Sequence, residues 1–195
     1  MNIGRPLEFD PDLALDAAMQ VFWNGGYEAT SLQNLLEAMD LSKSSFYQAF
    51  GSKQQLFERC LKRYRDTMAA AMLEGLSQAG SGRQFIEDML CSVLEEACSG
   101  EKPRGCLVMN TANEFAQADP AVAEWVTQGV TRFTRVFEAA VARAQREGDI
   151  AVDKDPEALA RFLVSSMSGL KTMVKAGIGG EEIKRIIPIV LKALD

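Results

Sequence analysis

The stretch from residue 30 to residue 53 constrains the fold most, because it carries the start and stop signals of two short helices in quick succession. Thr30 is predicted to cap the first helix, with Gln33 three residues later. Apolar residues recur at helical spacing and commit one face of this helix to a core: Leu32, Leu35, Leu36 and Met39. Residues 40–43 interrupt this stripe, so the sequence predicts a four-residue corner between the two helices.

The second helix is predicted to begin after Ser42, whose hydroxyl can cap free backbone N–H groups, and to end at Gly51. With a helical period of about 3.6 residues, Phe46 and Phe50 share one side. Small and hydrogen-bonding side chains project from the other side: Ser44, Tyr47 and Gln48. Such a helix suits the major groove of DNA. The pattern also fits an ordinary helical hairpin in a bundle, so the spacing alone leaves both interpretations open.

Several short motifs follow one another between residues 9 and 64: Ala17-Ala18, Val21-Phe22, Gly26-Tyr27-Glu28-Ala29-Thr30-Ser31, Leu41-Ser42-Lys43-Ser44-Ser45-Phe46-Tyr47, Phe50, Ser52-Lys53 and Leu56-Phe57. In this combination they resemble the N-terminal domain of the TetR/AcrR family of bacterial transcription regulators. The resemblance implies a three-helix helix-turn-helix DNA-binding domain over residues 1–52. A larger helical ligand-binding and dimerisation domain would cover residues 53–195. Ala49 departs from the family pattern, which commonly has histidine or tyrosine there.

We predict that the corner, the second helix and the start of the following helix contact double-stranded operator DNA. Tyr47 and Lys53 are assigned mainly to phosphates, and Ser44 and Gln48 to bases or nearby backbone. Lys53 stands at a helix start, where backbone N–H groups already favour an anion. The predicted DNA-binding residues are Ser42, Lys43, Ser44, Ser45, Tyr47, Gln48 and Lys53.

The net charge of −6 argues against a nucleic-acid partner, but the charge is unevenly distributed. Residues 1–40 contain one basic residue, Arg5, against seven acids, whereas residues 41–65 contain six basic residues against one acid. Arg5 is placed in an arm that could reach phosphate or the minor groove, with a disordered tail as the alternative. The basic residues of the long third segment are interpreted as a solvated helix face: Arg59, Lys62, Arg63 and Arg65.

Composition argues against several classes of function. Histidine, the commonest metal ligand and general base at neutral pH, is absent. The four cysteines have neither C-x-x-C spacing nor the density of a secreted disulfide scaffold, which indicates a reducing compartment. We therefore predict no metal, no cofactor and no enzymatic activity. No apolar run approaches a membrane span and no leader is evident, so we expect no membrane association and a cytoplasmic location.

Helical periodicity continues to the end of the chain and no segment alternates like a strand, so the predicted fold class is all-α. A helix of roughly twenty residues from Lys53 is expected to link the DNA-reading unit with the rest. The clearest break spans residues 75–82. Helices are also predicted to begin at three Asp-Pro pairs, which are Asp10-Pro11, Asp119-Pro120 and Asp155-Pro156.

The last two helices are predicted to form a homodimer interface. The terminal helix, from about Glu181 to Leu194, is apolar on more than one face and must pack on two sides. The preceding helix has small residues between 165 and 169 that allow close helix approach. A dimer would hold two recognition helices about 34 Å apart, one turn of DNA. Burial of both helices within one chain is the alternative.

Aromatic and methionine side chains of the middle helices could line a cavity or fill a solid core. The family resemblance implies a pocket for a small-molecule inducer of unknown identity, which re-aims the recognition helices through the long helix. Predicted ligand-binding residues are Met89, Phe115, Trp125, Phe133, Phe137 and Phe162. Polar candidates for the pocket are Asn110, Asn113, Glu114, Gln117, Gln128 and Thr131.

Cys106 is a candidate sensor of oxidants or electrophiles. It follows Lys102 and Arg104 near a predicted helix start, where positive charge favours a reactive thiol. Family members that sense such compounds use a cysteine in a similar Gly-Cys-Leu segment, so the resemblance implies a thiol switch. A buried small residue is the alternative.

The sequence therefore predicts a ligand-responsive DNA-binding regulator, a repressor released from a palindromic operator by a small molecule or by thiol modification. Two other classes stay open. A thiol-dependent enzyme would require a cysteine for turnover, and the lack of histidine counts against it. A small-molecule carrier with a non-functional DNA head would bind ligand without salt-dependent DNA affinity.

Overall fold

The computed structural model describes residues 9–115 and 119–195, apart from the side chain of Phe115. Arg5 and Gln117 lie outside the described residues. The described part contains helices and no strand, which confirms the all-α class, and none of these helices combines the length and the apolar character needed to cross a bilayer. In chain order the helices are α1 (Pro11–Gly25), α2 (Leu32–Met39), α3 (Lys43–Phe50), α4 (Lys53–Gln78), α5 (Gly82–Cys98), α6 (Leu107–Phe115), α7 (Pro120–Glu147), α8 (Pro156–Lys175) and α9 (Gly180–Lys192).

Helices α1, α7 and α8 begin at the three Asp-Pro pairs, as predicted. In α1, the Asp10 carboxylate accepts a hydrogen bond from the Asp12 N–H at 2.8 Å. Asp119 and Asp155 cap α7 and α8 in the same way. Each carboxylate satisfies N–H groups that lack a partner within the helix and complements the positive end of the helix dipole.

The start of α2 differs from the prediction by one residue. Thr30 is buried, and its hydroxyl donates to the Gly26 carbonyl oxygen at 2.6 Å. Ser31 is the cap instead: its hydroxyl accepts from the Asn34 N–H at 3.1 Å, and Asn34 Oδ1 accepts from the Ser31 N–H. The prediction of a Thr30 cap is wrong because the threonine hydroxyl closes the preceding turn.

The break predicted at residues 75–82 is shorter in the structure. Helix α4 continues to Gln78 and α5 begins at Gly82. Gly75 lies inside α4, where a Cβ atom would be 3.5 Å from the Phe85 ring. Gly75 therefore does not end the helix, and it lies where α4 packs against an aromatic side chain of α5.

Helix α7 holds the connection between α4 and α5. The Arg143 guanidinium donates to the carbonyl oxygens of Leu76 and Ala79 at 2.6 and 3.0 Å, so it satisfies acceptors that a helix end leaves free. At Gly82 the backbones of α5 and α7 come so close that a Cβ atom would lie 2.3 Å from the Ala140 carbonyl oxygen.

Two hydrophobic clusters meet along α4. The first contains side chains of α1 to α3 and of α4 as far as Tyr64, together with Leu107 and Val108 of α6. The second begins at Ala69 and contains side chains of α5, α7, α8 and α9. The core therefore changes within α4, whereas the predicted domain boundary between residues 52 and 53 lies at its start. Helix α6 belongs to the larger predicted domain but contributes to the core of the smaller one.

The last two helices leave apolar side chains uncovered. Phe162 of α8 is 40% exposed and Ile189 of α9 is 71% exposed, although Ile183 and Ile187 of α9 are buried. Helix α9 is thus apolar on both its inner and its outer side, as predicted.

Candidate functional sites

Helix α3 is anchored by phenylalanines and presents a polar face to solvent. Phe46 and Phe50 are 0% and 2% exposed, and the Ser42 hydroxyl caps the helix by accepting from the Ser45 N–H at 3.1 Å. The solvent-facing side carries the small and polar residues that the spacing placed there: Ser44, Tyr47 and Gln48. An eight-residue helix with this face can enter the major groove of DNA while its phenylalanines stay packed in the core.

The corner before α3 and the contacts after it fix its orientation. Helix α2 ends at Met39, and Asp40 has a left-handed backbone conformation with φ 51° and ψ 48°. Behind α3, Arg59 Nη1 donates to the Ala49 carbonyl oxygen at 3.0 Å, and its guanidinium lies 5.6 Å from the centre of the Phe50 ring. Helices α2 and α3 therefore form a helix-turn-helix that α4 holds in place.

Two lysines stand close to the polar face of α3. Lys43 is exposed at the first position of α3. Lys53 is at the first position of α4, with its Nζ atom 4.2 Å from the centre of the Tyr27 ring. The helix starts add backbone N–H groups to these charges, which suits contact with phosphate.

The interpretation of the later basic residues as a solvated face holds for the exposed Arg59 and Lys62 but not for Arg63 and Arg65. Arg63 forms ion pairs with Asp12 and Asp16 of α1, at 2.7 and 2.5 Å, and the hydrogen bond to Asp16 is the main cause that raises its pKa. Arg65 donates to Gln128 of α7 at 2.8 Å. Arg63 and Arg65 therefore tie α4 to α1 and α7.

A cavity of about 410 Å³ lies between α4, α5, α7 and α8. Its volume falls in the range of small-molecule sites. Three of the predicted ligand-binding residues line it: Met89, Phe133 and Phe137. Trp125 packs instead against the first hydrophobic cluster, and Phe162 faces solvent. The sequence did not show which residues of α7 and α8 line this cavity. The prediction for the Phe115 side chain lies outside the described residues.

The polar residues predicted to line the pocket lie elsewhere in the structure. The Asn110 amide donates to a backbone carbonyl just before α6 at 2.8 Å, and Gln128 accepts from α4 on the surface. Asn113 and Thr131 are exposed. Glu114 binds backbone N–H groups of the α1–α2 turn. None of these five side chains lines the cavity: Glu114 of α6 bonds to the helix-turn-helix unit, and Gln128 and Thr131 lie on an outer face of α7.

Cys106 lies at the cavity wall and at the N-terminal end of α6, where its carbonyl oxygen accepts from the Asn110 N–H at 2.8 Å. Tyr64 of α4 lies next to it. Burial raises the pKa of Tyr64, and the adjacent Cys106 thiol adds to that increase. The Tyr64 ring also packs edge-on against Trp23 of α1, with 4.9 Å between the ring centres. A group attached to the Cys106 thiol would therefore contact Tyr64 of α4, whose ring packs against Trp23 of α1.

The other cysteines have contrasting environments. Cys60 is buried in the first cluster, and burial strongly raises its pKa, so it holds its proton at neutral pH. Cys91 and Cys98 are exposed. Among the described residues, no group of three or more Cys, Asp or Glu side chains is placed to hold a metal ion.

Helix α6 joins the cavity to the helix-turn-helix unit at both of its ends. Near its start, the Gly105 carbonyl oxygen accepts from the Trp23 indole N–H at 3.0 Å. At its far end, the Glu114 carboxylate accepts from the N–H groups of Tyr27 and Glu28 at 3.0 and 2.6 Å. These bonds connect α6 to the C-terminal part of α1 and to the turn that leads into α2.

Local backbone geometry explains the Glu114 contact. Gly26 has φ 80°, a conformation that favours glycine, and a Cβ atom there would be only 3.0 Å from a Glu114 carboxylate oxygen. The next two N–H groups, of Tyr27 and Glu28, both donate to this carboxylate. Helical periodicity predicted a mechanical link through α4 and a place for Glu114 at the pocket, since no local pattern identifies a partner 86 residues away.

The structure joins a helix-turn-helix with an exposed polar helix to a helical unit with an apolar cavity. This combination is typical of ligand-responsive transcription regulators. Two family models match the chain: "Bacterial regulatory proteins, tetR family" over residues 14–60, and "Tetracyclin repressor-like, C-terminal domain" over residues 83–188. The chain belongs to the TetR family of bacterial regulatory proteins, as its motifs predicted.

Curated relatives match over nearly the whole chain. The uncharacterized HTH-type transcriptional regulator YezE of Bacillus subtilis is 31% identical over 99% of this chain and 100% of its own length. The HTH-type transcriptional repressor ComR of Escherichia coli is 30% identical over 97% of this chain and 90% of its own length. Both are named as regulators, a class of proteins that are not enzymes in general.

Solved structures show the same architecture. A cysteine-substituted form of the TetR family regulator CifR, in complex with 26-base-pair double-stranded operator DNA, matches with a TM-score of 0.85. It is 34% identical and covers 98% of this chain and 100% of its own. The reduced form of Escherichia coli NemR matches with a TM-score of 0.83 over 92% of this chain and 93% of its own, and at 19% identity it supports the fold.

Proposed function

We propose that this chain is a homodimeric repressor that binds a palindromic operator through α3 and releases it when a small molecule fills the cavity or when Cys106 is modified. The observation that carries the proposal is the polar outer face of α3, held on the buried Phe46 and Phe50. The named activity of ComR and the operator complex of CifR support it. A protein with this function would act in the cytoplasm, where the bacterial chromosome lies.

In the proposed complex, α3 lies in the major groove. Ser44 and Gln48 reach base edges or nearby backbone, while Tyr47 and Lys53 contact phosphates. The N-terminal ends of α3 and α4 would present backbone N–H groups to phosphates. The proposed DNA-binding set is Ser42, Lys43, Ser44, Ser45, Tyr47, Gln48 and Lys53.

We place the dimer interface on α8 and α9. The exposed Phe162 and Ile189 would be covered there by the same residues of a second copy, as a two-fold interface requires. Residues 1–52 then act as the DNA-binding domain and residues 53–195 as the ligand-binding and dimerisation domain. The two reading helices of a dimer would face half-sites on one side of the duplex.

Release would follow from differential binding, because an effector can shift the protein only toward the arrangement that it binds better. Met89, Phe133 and Phe137 would contact the effector, and Cys106 is the cysteine at the wall of the same cavity whose modification would release DNA. Both events act beside the start of α6. Since Glu114 at the other end of α6 holds the α1–α2 turn, a shift of α6 would re-aim the helix-turn-helix.

Selection of bound duplexes from a random pool tests the proposal. We expect enrichment of a palindrome whose half-site centres are about 34 Å apart or a multiple of that distance. A thiol-dependent enzyme or a carrier with a non-functional DNA head would enrich no sequence. A selection that ends with the same base composition as the starting pool at low ionic strength would overturn the proposed function.

A further inference from the structure

The cavity has a polar end. Tyr64 and Cys106 lie together there, and Lys171 of α8 lines the wall beside them. The Lys171 ammonium donates to Glu96 of α5 at 2.7 Å, and Ser92 lines the cavity one helical turn before Glu96. The Tyr64 hydroxyl, the Cys106 thiol and the Lys171 ammonium thus lie in the part of the cavity next to the start of α6, whereas the Ser92 hydroxyl donates to the Met89 carbonyl oxygen at 2.7 Å.

The opposite end is apolar. Gly75 of α4 and Phe85 of α5 meet there, with 3.5 Å between the Phe85 ring and a Cβ built on the glycine. Phe137 packs 6.1 Å from Phe85, ring centre to ring centre, and Val164 closes the wall from α8. No ionised group of the described wall lies at this end except Asp88, which is solvent-exposed and accepts from Gln84 at 2.8 Å.

The length of the cavity follows from the helix that borders it. Tyr64 and Gly75 are eleven residues apart on α4, which corresponds to about 16 Å, roughly the length of an extended ten-carbon chain with its head group. Between them, Met68 and Met72 supply flexible thioether side chains that adapt to an alkyl chain. The shape and polarity therefore favour a linear molecule with one polar end.

The sign of charge at the polar end favours an anion. A smaller chamber of about 260 Å³ adjoins the cavity and shares Tyr64, Met68 and Lys171 with it. Lys102 and Arg104 also border this chamber. Its cations outnumber its acids, which are Glu96 and Glu101. Lys171 has three N–H donors, and the hydrogen bond to Glu96 uses one of them in the described structure.

We propose that the cavity binds a linear amphiphile with a carboxylate head, whose alkyl chain occupies the apolar end while its carboxylate is bound by Lys171. The proposal rests on the proposed function only in taking this cavity as the effector site. The ligand's carboxylate accepts hydrogen bonds from the Lys171 ammonium and competes with the Glu96 carboxylate for that ammonium. The alkyl chain displaces water from methionine and aromatic surface, which supplies most of the affinity.

Calorimetric titration with octanoate, 1-octanol and octylamine tests the proposal on the full-length protein. We expect octanoate to bind about tenfold more tightly than either analogue, because a charge-assisted hydrogen bond to a partly exposed lysine contributes at that level. From hexanoate to decanoate, each methylene should strengthen binding about fourfold. Lys171→Gln should remove the preference for octanoate and leave 1-octanol binding within about twofold.

Two further variants make the result specific. Glu96→Gln removes the competing carboxylate and should strengthen octanoate binding. Lys62→Gln removes a similarly paired but 69% exposed lysine and should change nothing. Equal affinity for all three ligands, no binding of any, or unchanged octanoate affinity in Lys171→Gln would each overturn the carboxylate proposal. Duplex selection is independent of these titrations, so its failure identifies an error in the proposed function instead.

Discussion

Replacing Glu114 by glutamine should weaken the connection between the cavity and the helix-turn-helix without unfolding either. The carboxylate accepts from the N–H groups of Tyr27 and Glu28 with separate oxygens, at 3.0 and 2.6 Å. Glutamine keeps one acceptor oxygen and turns an NH₂ donor toward the second N–H. One hydrogen bond is therefore lost, and the charge that strengthened the other is removed.

The magnitude follows from these two bonds. A hydrogen bond to a charged group contributes about 1.5–3 kcal/mol, and the solvent exposure of Glu114 places its value at the low end or below. We expect a loss of about 1–2 kcal/mol, which corresponds to roughly a 5- to 30-fold change in an equilibrium constant. If α6 transmits the signal, this loss reduces the effect of a Cys106 modification on DNA affinity.

Fluorescence anisotropy with the enriched duplex measures this effect. The ratio of the dissociation constants after and before N-ethylmaleimide treatment is compared between the parent and Glu114→Gln, both with Cys91 and Cys98 changed to serine. We expect the ratio to fall about fivefold or more in the variant. Glu124→Gln, an exposed change of the same charge on α7, should leave the ratio unaltered. An unchanged ratio in Glu114→Gln would refute a role for α6.

Three further predictions concern packing, DNA contact and thiol reactivity. Gly82→Ala should lower the free energy of unfolding, measured by urea denaturation, by about 1–3 kcal/mol, because its Cβ atom would lie 2.3 Å from a carbonyl oxygen of α7. Gly80 lies in the same connection with open space around it, so Gly80→Ala should change this free energy by less than about 0.5 kcal/mol. Gln48→Ala should alter sequence preference among duplexes, while Lys53→Ala should weaken all sequences and flatten the salt dependence by about one unit. Mass spectrometry after iodoacetamide treatment at neutral pH should show Cys60 unmodified while the other three cysteines react, because burial raises the pKa of Cys60.

Each of these has an outcome that would contradict it. Equal stability of the two alanine variants would mean that α5 and α7 separate without cost. Gln33→Ala is the matched control for the glutamine on α3, since Gln33 is exposed on α2. If both glutamine variants lose affinity equally on every sequence, Gln48 does not read bases. Rapid labelling of Cys60 in the folded protein would show that the first cluster opens readily.

The sequence was most informative where local spacing determines the structure. The buried pair Phe46 and Phe50 and the exposed Tyr47 follow from helical period alone, so α3 was predicted with its correct inner and outer faces. The cap of α2 was missed by one residue because both Thr30 and Ser31 can cap a helix, and only the turn after α1 decides between them.

The cavity was predicted less completely, because its wall depends on how helices pack. Phe133 and Trp125 both lie on α7 and pack against the first cluster, yet only Phe133 lines the cavity. Lys171 was not predicted at all: its place at the polar end depends on Glu96, 75 residues earlier in the chain. Contacts between distant segments leave no periodic signal in a single sequence, and the same reason hid the bond from Glu114 to the α1–α2 turn.

The central claim is that the polar face of α3 reads operator DNA. Its most direct test is the affinity of the purified protein for the enriched duplex and for a scrambled duplex of the same length and composition, measured at several salt concentrations. We expect a preference of about a thousandfold or more for the enriched duplex, and affinity for both that falls steeply with salt. Equal affinity for the two duplexes, or no binding at low ionic strength, would contradict the account.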